Sequence, residues 1–200
     1  MTDRRAFYDG RAAFRSRESA RYYHRLLQNY FAFLVPPGLR VLEVGCGLGD
    51  LLAAVKPERG VGIDFSSAVI DLARQRHPQL EFHVAEAGEF SSPEKFDYII
   101  LSDLVNNVPD VQALLTHLHE FAHSRTRLAV NFFNNVWRPI LTAAEKMGAK
   151  APTPPQNWLS AGDMKNLLHL AGWEVIKTDT RILWPLGTPL LAPQIGRAHV

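Results

Sequence analysis

The chain has 200 residues, 46% hydrophobic and 21% charged, which is enough for one ordinary globular domain with a sizeable core. One cysteine excludes an internal disulfide and suits a reducing compartment. No apolar run approaches the roughly 20 residues of a membrane span, and no signal-peptide segment follows the Arg-rich start, so a cytoplasmic protein is expected.

The net charge of +2 is unevenly spread. Residues 1–25 carry seven Arg against three acids, 41–110 carry five bases against twelve acids, and 111–200 carry nine against five. An acidic middle disfavours phosphate-rich ligands and tolerates cationic ones.

Residues 1–18 show no periodic pattern. From Tyr23 the apolar positions Tyr23, Leu26, Leu27, Tyr30, Phe31 and Leu34 follow the helix template, and Pro36-Pro37-Gly38 stops it. An alternation of strands and helices begins there. Strands are expected at 41–44, 60–64, 80–85, 96–101 and 127–133. Between them lie helices at 51–55, from Ser66 or Ser67 to about His77, and after the Asp110 cap. That last helix carries Val111, Leu114, Leu115, Leu118 and Phe121 on one face, and His117, His119 and His123 along its length. Residues 136–148 read as helical and 151–155 as a stiff Pro-rich linker. Ser160-Ala161-Gly162-Asp163 reads as a capping box opening a helix that stops at Gly172, and 173–183 read as a sixth strand. The fold class is α/β: a Rossmann-like, doubly wound, mostly parallel sheet with helices on both faces and an N-terminal helix. Three regions divide it: a helical lid segment at 1–37, a ligand-binding core at 38–135, and a substrate-side insert, sixth strand and irregular tail at 136–200.

Ligands in such sheets bind beyond the carboxyl ends of the strands, where strand order reverses. There stands Glu43-Val44-Gly45-Cys46-Gly47-Leu48-Gly49-Asp50, between a strand and a helix. Its glycines let the backbone turn sharply and a ligand come close. The spacing is G-x-G-x-G, one position short of the dinucleotide fingerprint, and Glu43 and Asp50 add negative charge where a pyrophosphate would sit. Both points oppose a nucleotide-dependent oxidoreductase and suit a ligand with an ammonium and a sulfonium. Asp64, ending the second strand, can accept both hydroxyls of a ribose, or cap the helix that follows. Glu86 and the Ala87 backbone can meet an adenine, or form an ordinary surface loop.

The series Arg40-Val41-Leu42-Glu43-Val44-Gly45-Cys46-Gly47-Leu48-Gly49-Asp50, then Gly62-Ile63-Asp64-Phe65-Ser66, then Phe96-Asp97-Tyr98-Ile99-Ile100 resembles the motifs of class I S-adenosylmethionine-dependent methyltransferases, over residues 38–135 and more loosely to 183. The resemblance implies S-adenosylmethionine as cofactor. Its methionine part would lie on Glu43, Gly45, Cys46, Gly47 and Gly49, its ribose on Asp64, and its adenine beside Phe65, Glu86 and Ala87. The cofactor would also meet Ser102 and Leu104, which with Asp103 follow the fourth strand, where the family's methyl transfer takes place. That family position more often holds Asp than the Glu86 found here. An activated sulfonium methyl needs mainly alignment; where the acceptor must lose a proton early, Asp103 and His24 are general-base candidates. No histidine spacing suits a metal, and Cys46 has no base near it in sequence. Asn106, Asn107, Asn131, Asn134, Asn135 and Trp137 are substrate-pocket candidates at the ligand-bearing edge.

The expected acceptor is a small molecule, free or linked to a lipid or saccharide. The Phe7-Tyr8-Asp9 segment and Gln156-Asn157-Trp158-Leu159-Ser160 look like bacterial methyltransferases found alongside glycosyltransferases, which makes such an enzyme an expected associate. Nucleic acid is not an expected partner, because the basic ends lack interleaved aromatic platforms beyond Tyr22 and Tyr23. A cofactor-binding domain without activity, serving a larger assembly, is the alternative from another class. Residues 1–22 are expected to close over the cofactor. The family's seventh strand is expected to be missing, because Pro185, Pro189 and Pro193 interrupt the tail and Gly196-Arg197-Ala198-His199-Val200 fits no element; the unpaired edge then favours oligomers.

Overall fold

The computed structural model describes residues 18–133 and 156–179, together with positions 135, 138, 139, 142, 143 and 147. In chain order the elements are α1 (Glu18–Leu34), β1 (Arg40–Val44), α2 (Asp50–Ala54), β2 (Arg59–Asp64), α3 (Ser67–Arg76), β3 (Glu81–Val84), β4 (Phe96–Ser102), α4 (Val111–His117), a 3-10 turn (Leu118–Phe121), β5 (Ala122–Asn131) and α5 (Ala161–Leu170). The five strands form one sheet in the order β3-β2-β1-β4-β5, every pair parallel.

Alternate residues of the central strands face opposite ways, as the period of two requires. Leu42, Val44, Ile99 and Leu101 face α4 and α5; Val41 and Ile100 face α1, α2 and α3. Continuous apolar strands buried on both faces are the signature of a parallel sheet between helical layers. The apolar stripe of α1 supplies Leu27 and Phe31, which are buried against Val41, Leu52 and Val55.

Local signals explain the helix starts. Ser66 accepts the N–H of Val69 on α3, and Asp110 accepts the N–H of Ala113 on α4. On α5 the Ser160 side chain and the Asp163 side chain cap each other's backbone in a full capping box.

The amino edge of the sheet is closed by ion pairs. Arg40 reaches Glu94 at 2.8 Å, and Arg59 reaches Glu94 at 3.2 Å and Glu81 at 2.7 Å. Asp97 accepts the Arg40 N–H at 2.9 Å and faces His123 at 3.1 Å.

Two expectations are corrected. The fifth strand begins at Ala122, not Arg127, because its opening His123-Ser124-Arg125-Thr126 is polar and carries no strand pattern. The three histidines therefore do not share a helix. His117 ends α4 and His119 lies in the 3-10 turn, stacked on Trp173 with centroids 4.5 Å apart, while His123 belongs to β5. Of the sixth strand, residues 173–179 make no ladder pairing, and 180–183 lie outside the described residues, as do residues 1–17 of the lid segment, the linker 151–155 and the tail. Among the described residues no helix is long and apolar enough to cross a membrane.

Candidate active site

β1 and β4 are neighbours in the sheet, yet the chain runs outward from them in opposite directions, so strand order reverses between them. The loops that leave their carboxyl ends therefore part and open a crevice. It is lined by Gly45, Ile63, Asp64, Phe65, Ala85, Glu86, Ala87, Leu104, Asn107 and Val108. Its two charged groups are both carboxylates.

The glycine loop forms one wall. Gly45 and Gly49 sit at φ +74° and +75°, in the left-handed region that other residues enter at a cost. A Cβ on Gly49 would lie 2.5 Å from Phe82 of β3, and one on Gly45 would lie 2.9 Å from Leu104 after β4. The loop is also pinned from below: the N–H groups of Gly45 and Cys46 both donate to the Ile63 carbonyl, at 2.8 and 2.9 Å.

Asp64 ends β2 and is 7% exposed. Its two oxygens accept the N–H of Gly47 at 3.1 Å and of Ser66 at 3.0 Å, joining the glycine loop to the start of α3. The ribose and capping readings of Asp64 are thus not exclusive: each carboxylate oxygen has lone-pair capacity beyond the one N–H it accepts, and Asp64 lines the crevice.

Glu43 lies beneath the loop, 2% exposed. Burial pushes its carboxyl well above the usual range; the Leu52 N–H opposes the rise, and nearby Asp50 and Asp64 add to it. Its Oε2 has no hydrogen-bond partner among the described residues. A buried acceptor left over is costly unless a ligand supplies the donor. Asp50, by contrast, is met by His77 at 2.8 Å and Arg76 at 3.1 Å. That pairing reduces the weight of Asp50 as a free negative charge at the loop.

The structure brings Gly45, Asp64, Phe65, Glu86, Ala87 and Leu104 to the crevice wall. Glu43, Cys46, Gly47 and Gly49 support the loop behind it, with Cys46 buried against the sheet. Ser102 is the last residue of β4, paired with Asn131, and is not in the wall. Asp103 follows it and is held by Tyr23 and Asn131. His24 is an exposed residue of α1, edge-on to Tyr23. Among the described residues no group of acids, histidines and cysteine forms a metal site.

Of the asparagines, Asn107 lines the crevice. Asn106 does not act as a pocket residue: it is 2% exposed and bonded to the backbone of Phe133 and Asn157 on both sides of its amide. Asn157 in turn donates to the Val105 and Val108 carbonyls. The 156–160 region is therefore a brace for the loop after β4. Asn134 and Trp137 lie outside the described residues. Ile63, Ala85 and Val108, which sequence reasoning missed, are small or aliphatic wall residues with no chemical signal of their own.

Comparison with known proteins agrees with this geometry. Residues 12–178 match a protein family described as "Methyltransferase domain". The magnesium-protoporphyrin O-methyltransferase of Rhodobacter capsulatus is 34% identical over 99 residues, 44% of this chain and 42% of that protein. A ubiquinone biosynthesis O-methyltransferase of Rhodopseudomonas palustris is 25% identical over 162 residues, 74% of this chain and 64% of that protein. The crystal structure of magnesium protoporphyrin IX methyltransferase from Synechocystis PCC 6803 with bound SAM has a TM-score of 0.63, at 19% identity, covering 88% of this chain and 86% of that one. The chain spans about half the length of the curated relatives it matches.

Proposed function

Since the chain belongs to the methyltransferase-domain family, we propose that it binds S-adenosylmethionine in the crevice and passes the methyl group to a small-molecule acceptor. The observation that carries this reading is the acidic crevice itself: a glycine-walled slot whose charged groups, Asp64 and Glu86, are both carboxylates, above a buried Glu43 with an unused oxygen. Such a slot repels a pyrophosphate and fits a ligand carrying ammonium, sulfonium and ribose hydroxyls. The family match and the SAM-bound neighbour support the same cofactor.

In this reading the cofactor supplies an activated methyl group. The protein supplies position. The Gly45–Gly49 loop receives the methionine part, with the buried Glu43 beneath it offering its unused Oε2 as a hydrogen-bond partner. Asp64 receives the ribose while still holding the loop through Gly47. Phe65, Glu86 and Ala87 receive the adenine, and Leu104 closes the crevice toward the acceptor side. The apolar share of the wall excludes water and strengthens each polar contact. The finer proposal is an acceptor linked to a lipid or saccharide, formed alongside a glycosyltransferase. Its support is the likeness of Phe7-Tyr8-Asp9 and the 156–160 region to bacterial enzymes of that setting.

Calorimetry tests the cofactor. S-adenosylmethionine should bind in the micromolar range, about −8 kcal/mol. Asp64→Ala should weaken binding by about 1–3 kcal/mol, the cost of lost hydrogen bonds to a charged group. Unaltered affinity in that variant removes Asp64 from the site, and tighter binding of NAD overturns the reading. Labelled cofactor with a metabolite extract then separates an active enzyme from a silent binding domain.

A further inference from the structure

The crevice wall that follows β4 is held by two asparagines that do not line it. Leu104, Asn107 and Val108 face the crevice. They belong to one tight turn, in which the Asn107 N–H donates to the Leu104 carbonyl at 2.8 Å. Asn106 sits inside that turn, 2% exposed. Its side-chain amide meets Phe133 as a neighbouring strand residue would: Oδ1 accepts the Phe133 N–H at 3.0 Å, and Nδ2 donates to the Phe133 carbonyl at 3.1 Å. A side-chain amide thus stands in for a peptide unit just past the end of β5. The same Nδ2 donates to the Asn157 carbonyl at 2.8 Å, and the Asn106 carbonyl accepts the Asn157 N–H at 2.7 Å.

Asn157 returns the hold through its own side chain. Its Nδ2 donates to the Val105 carbonyl at 3.2 Å and to the Val108 carbonyl at 2.6 Å, tying both ends of the span 105–108 with one amide. Val105 is 0% exposed and Val108 8%, so water reaches this span poorly. A carbonyl there that loses its donor is costly, and the turn must move to find another. Wall residues and braced residues share the same few positions, so such a movement displaces the wall. The wall also lies close against the glycine loop: Leu104 Cδ1 is 2.9 Å from where a Cβ on Gly45 would stand. Burying amides costs more than burying hydrocarbon, and what a fully bonded polar network gives in return is one fixed arrangement.

We propose that Asn106 and Asn157 are positioning residues of the crevice: as a pair they fix the turn from Leu104 to Val108 at its distance from the glycine loop, and so set the affinity for the cofactor. This rests on the methyltransferase reading, which supplies the ligand.

The test measures S-adenosylhomocysteine affinity by calorimetry well below the melting temperature, beside a thermal melt of each variant. Asn157→Ala removes the donor to both valine carbonyls and keeps the backbone bonds; it should weaken S-adenosylhomocysteine by about tenfold or more. Asn106→Ala should do the same. Because both act on one turn, the double variant should lose little beyond the larger single loss, well short of the roughly hundredfold that independent sites would give. Trp173→Phe is the control. It removes a buried hydrogen bond to the Leu115 carbonyl, between α4 and the chain after α5, and touches no crevice residue. It should melt lower with its affinity unmoved. A purely structural brace would make Asn157→Ala behave like that control. Unchanged affinity in Asn157→Ala, an equal loss in Trp173→Phe, or additive losses in the double variant overturns the proposal. If Asn106→Ala does not fold, Asn157→Ala against the control decides. A wild-type protein that does not bind S-adenosylhomocysteine overturns the cofactor reading and this proposal with it, whereas wild-type binding with an unmoved Asn157→Ala overturns this proposal alone.

Discussion

At the amino edge of the sheet Glu94 and Glu81 meet arginine side chains, while at the carboxyl edge the crevice-side acids Asp64 and Asp103 meet backbone and neutral side-chain donors. Asp97 and Glu81 open β4 and β3. The Arg40 N–H holds the Asp97 carboxyl below its usual range, and Arg59 does the same for Glu81. Glu43, on the opposite end of β1 from Arg40, is driven the other way by burial. Asp64 is satisfied by two N–H groups and Asp103 by a tyrosine and an asparagine. One edge spends its charges on closing the fold. The other keeps charge available to a ligand, and the folded chain bears the cost until one arrives.

Glycine replacements give the largest expected contrast. Gly38 and Gly49 sit at opposite ends of β1 with nearly equal φ, +77° and +75°, but a Cβ meets nothing within 4 Å at Gly38 and Phe82 at 2.5 Å at Gly49. Gly38→Ala should cost about 1 kcal/mol, the left-handed penalty alone. Gly49→Ala should cost about 2–4 kcal/mol, adding overpacking, and should abolish cofactor binding. Equal shifts in a denaturant titration would mean that Phe82 yields freely and the loop is not held by β3.

Glu43→Gln is the next test. A carboxyl whose folded pKa lies above its ordinary 4.5 contributes stability below pH 4.5, and that contribution is lost as pH rises through the folded value. The amide removes this loss, so the variant should melt higher at pH 7 and show little gain at pH 4. Cofactor affinity should fall at the same time. A variant that is less stable at pH 7 would mean that the Leu52 N–H bond outweighs desolvation.

The smallest effects belong to the amino edge. Glu94→Gln should cost about 0.2–1 kcal/mol, less in high salt, with cofactor affinity unchanged. Asp97 has the opposite sign to Glu43: a depressed carboxyl contributes stability above its ordinary 3.8 that is lost as pH falls below it. Asp97→Asn should therefore melt lower at neutral pH and match the parent in acid. A change in cofactor binding in either variant would break the division between the edges.

Much of the fold was legible because its signals are local. β1 and its glycine turn, the Asp110 and Ser66 caps, and the Ser160–Asp163 box each lie within a few residues and formed as expected. The start of β5 was not legible, since residues that pair at an edge strand need not be apolar. Asn106 read as a pocket group because its partners, Phe133 and Asn157, come from later segments. The same holds for Asp103. Its position after β4 was visible, but its contacts with Tyr23 and Asn131 span 80 and 28 residues and arise only when the sheet forms.

The β1–β4 pairing has a consequence for the order of assembly. As the chain leaves a ribosome, β1, β2 and β3 can pair as soon as each appears. Val41 must then wait for Tyr98, across two intervening strands and two helices, before the centre of the sheet closes. Non-local parallel pairing of this kind is slow. The crevice lies on that seam, between the loop after β1 and the loop after β4, so a half-made chain has no pocket at all. A ligand held there recognises only the finished molecule, and its presence in the cell would draw nascent chains toward completion by mass action.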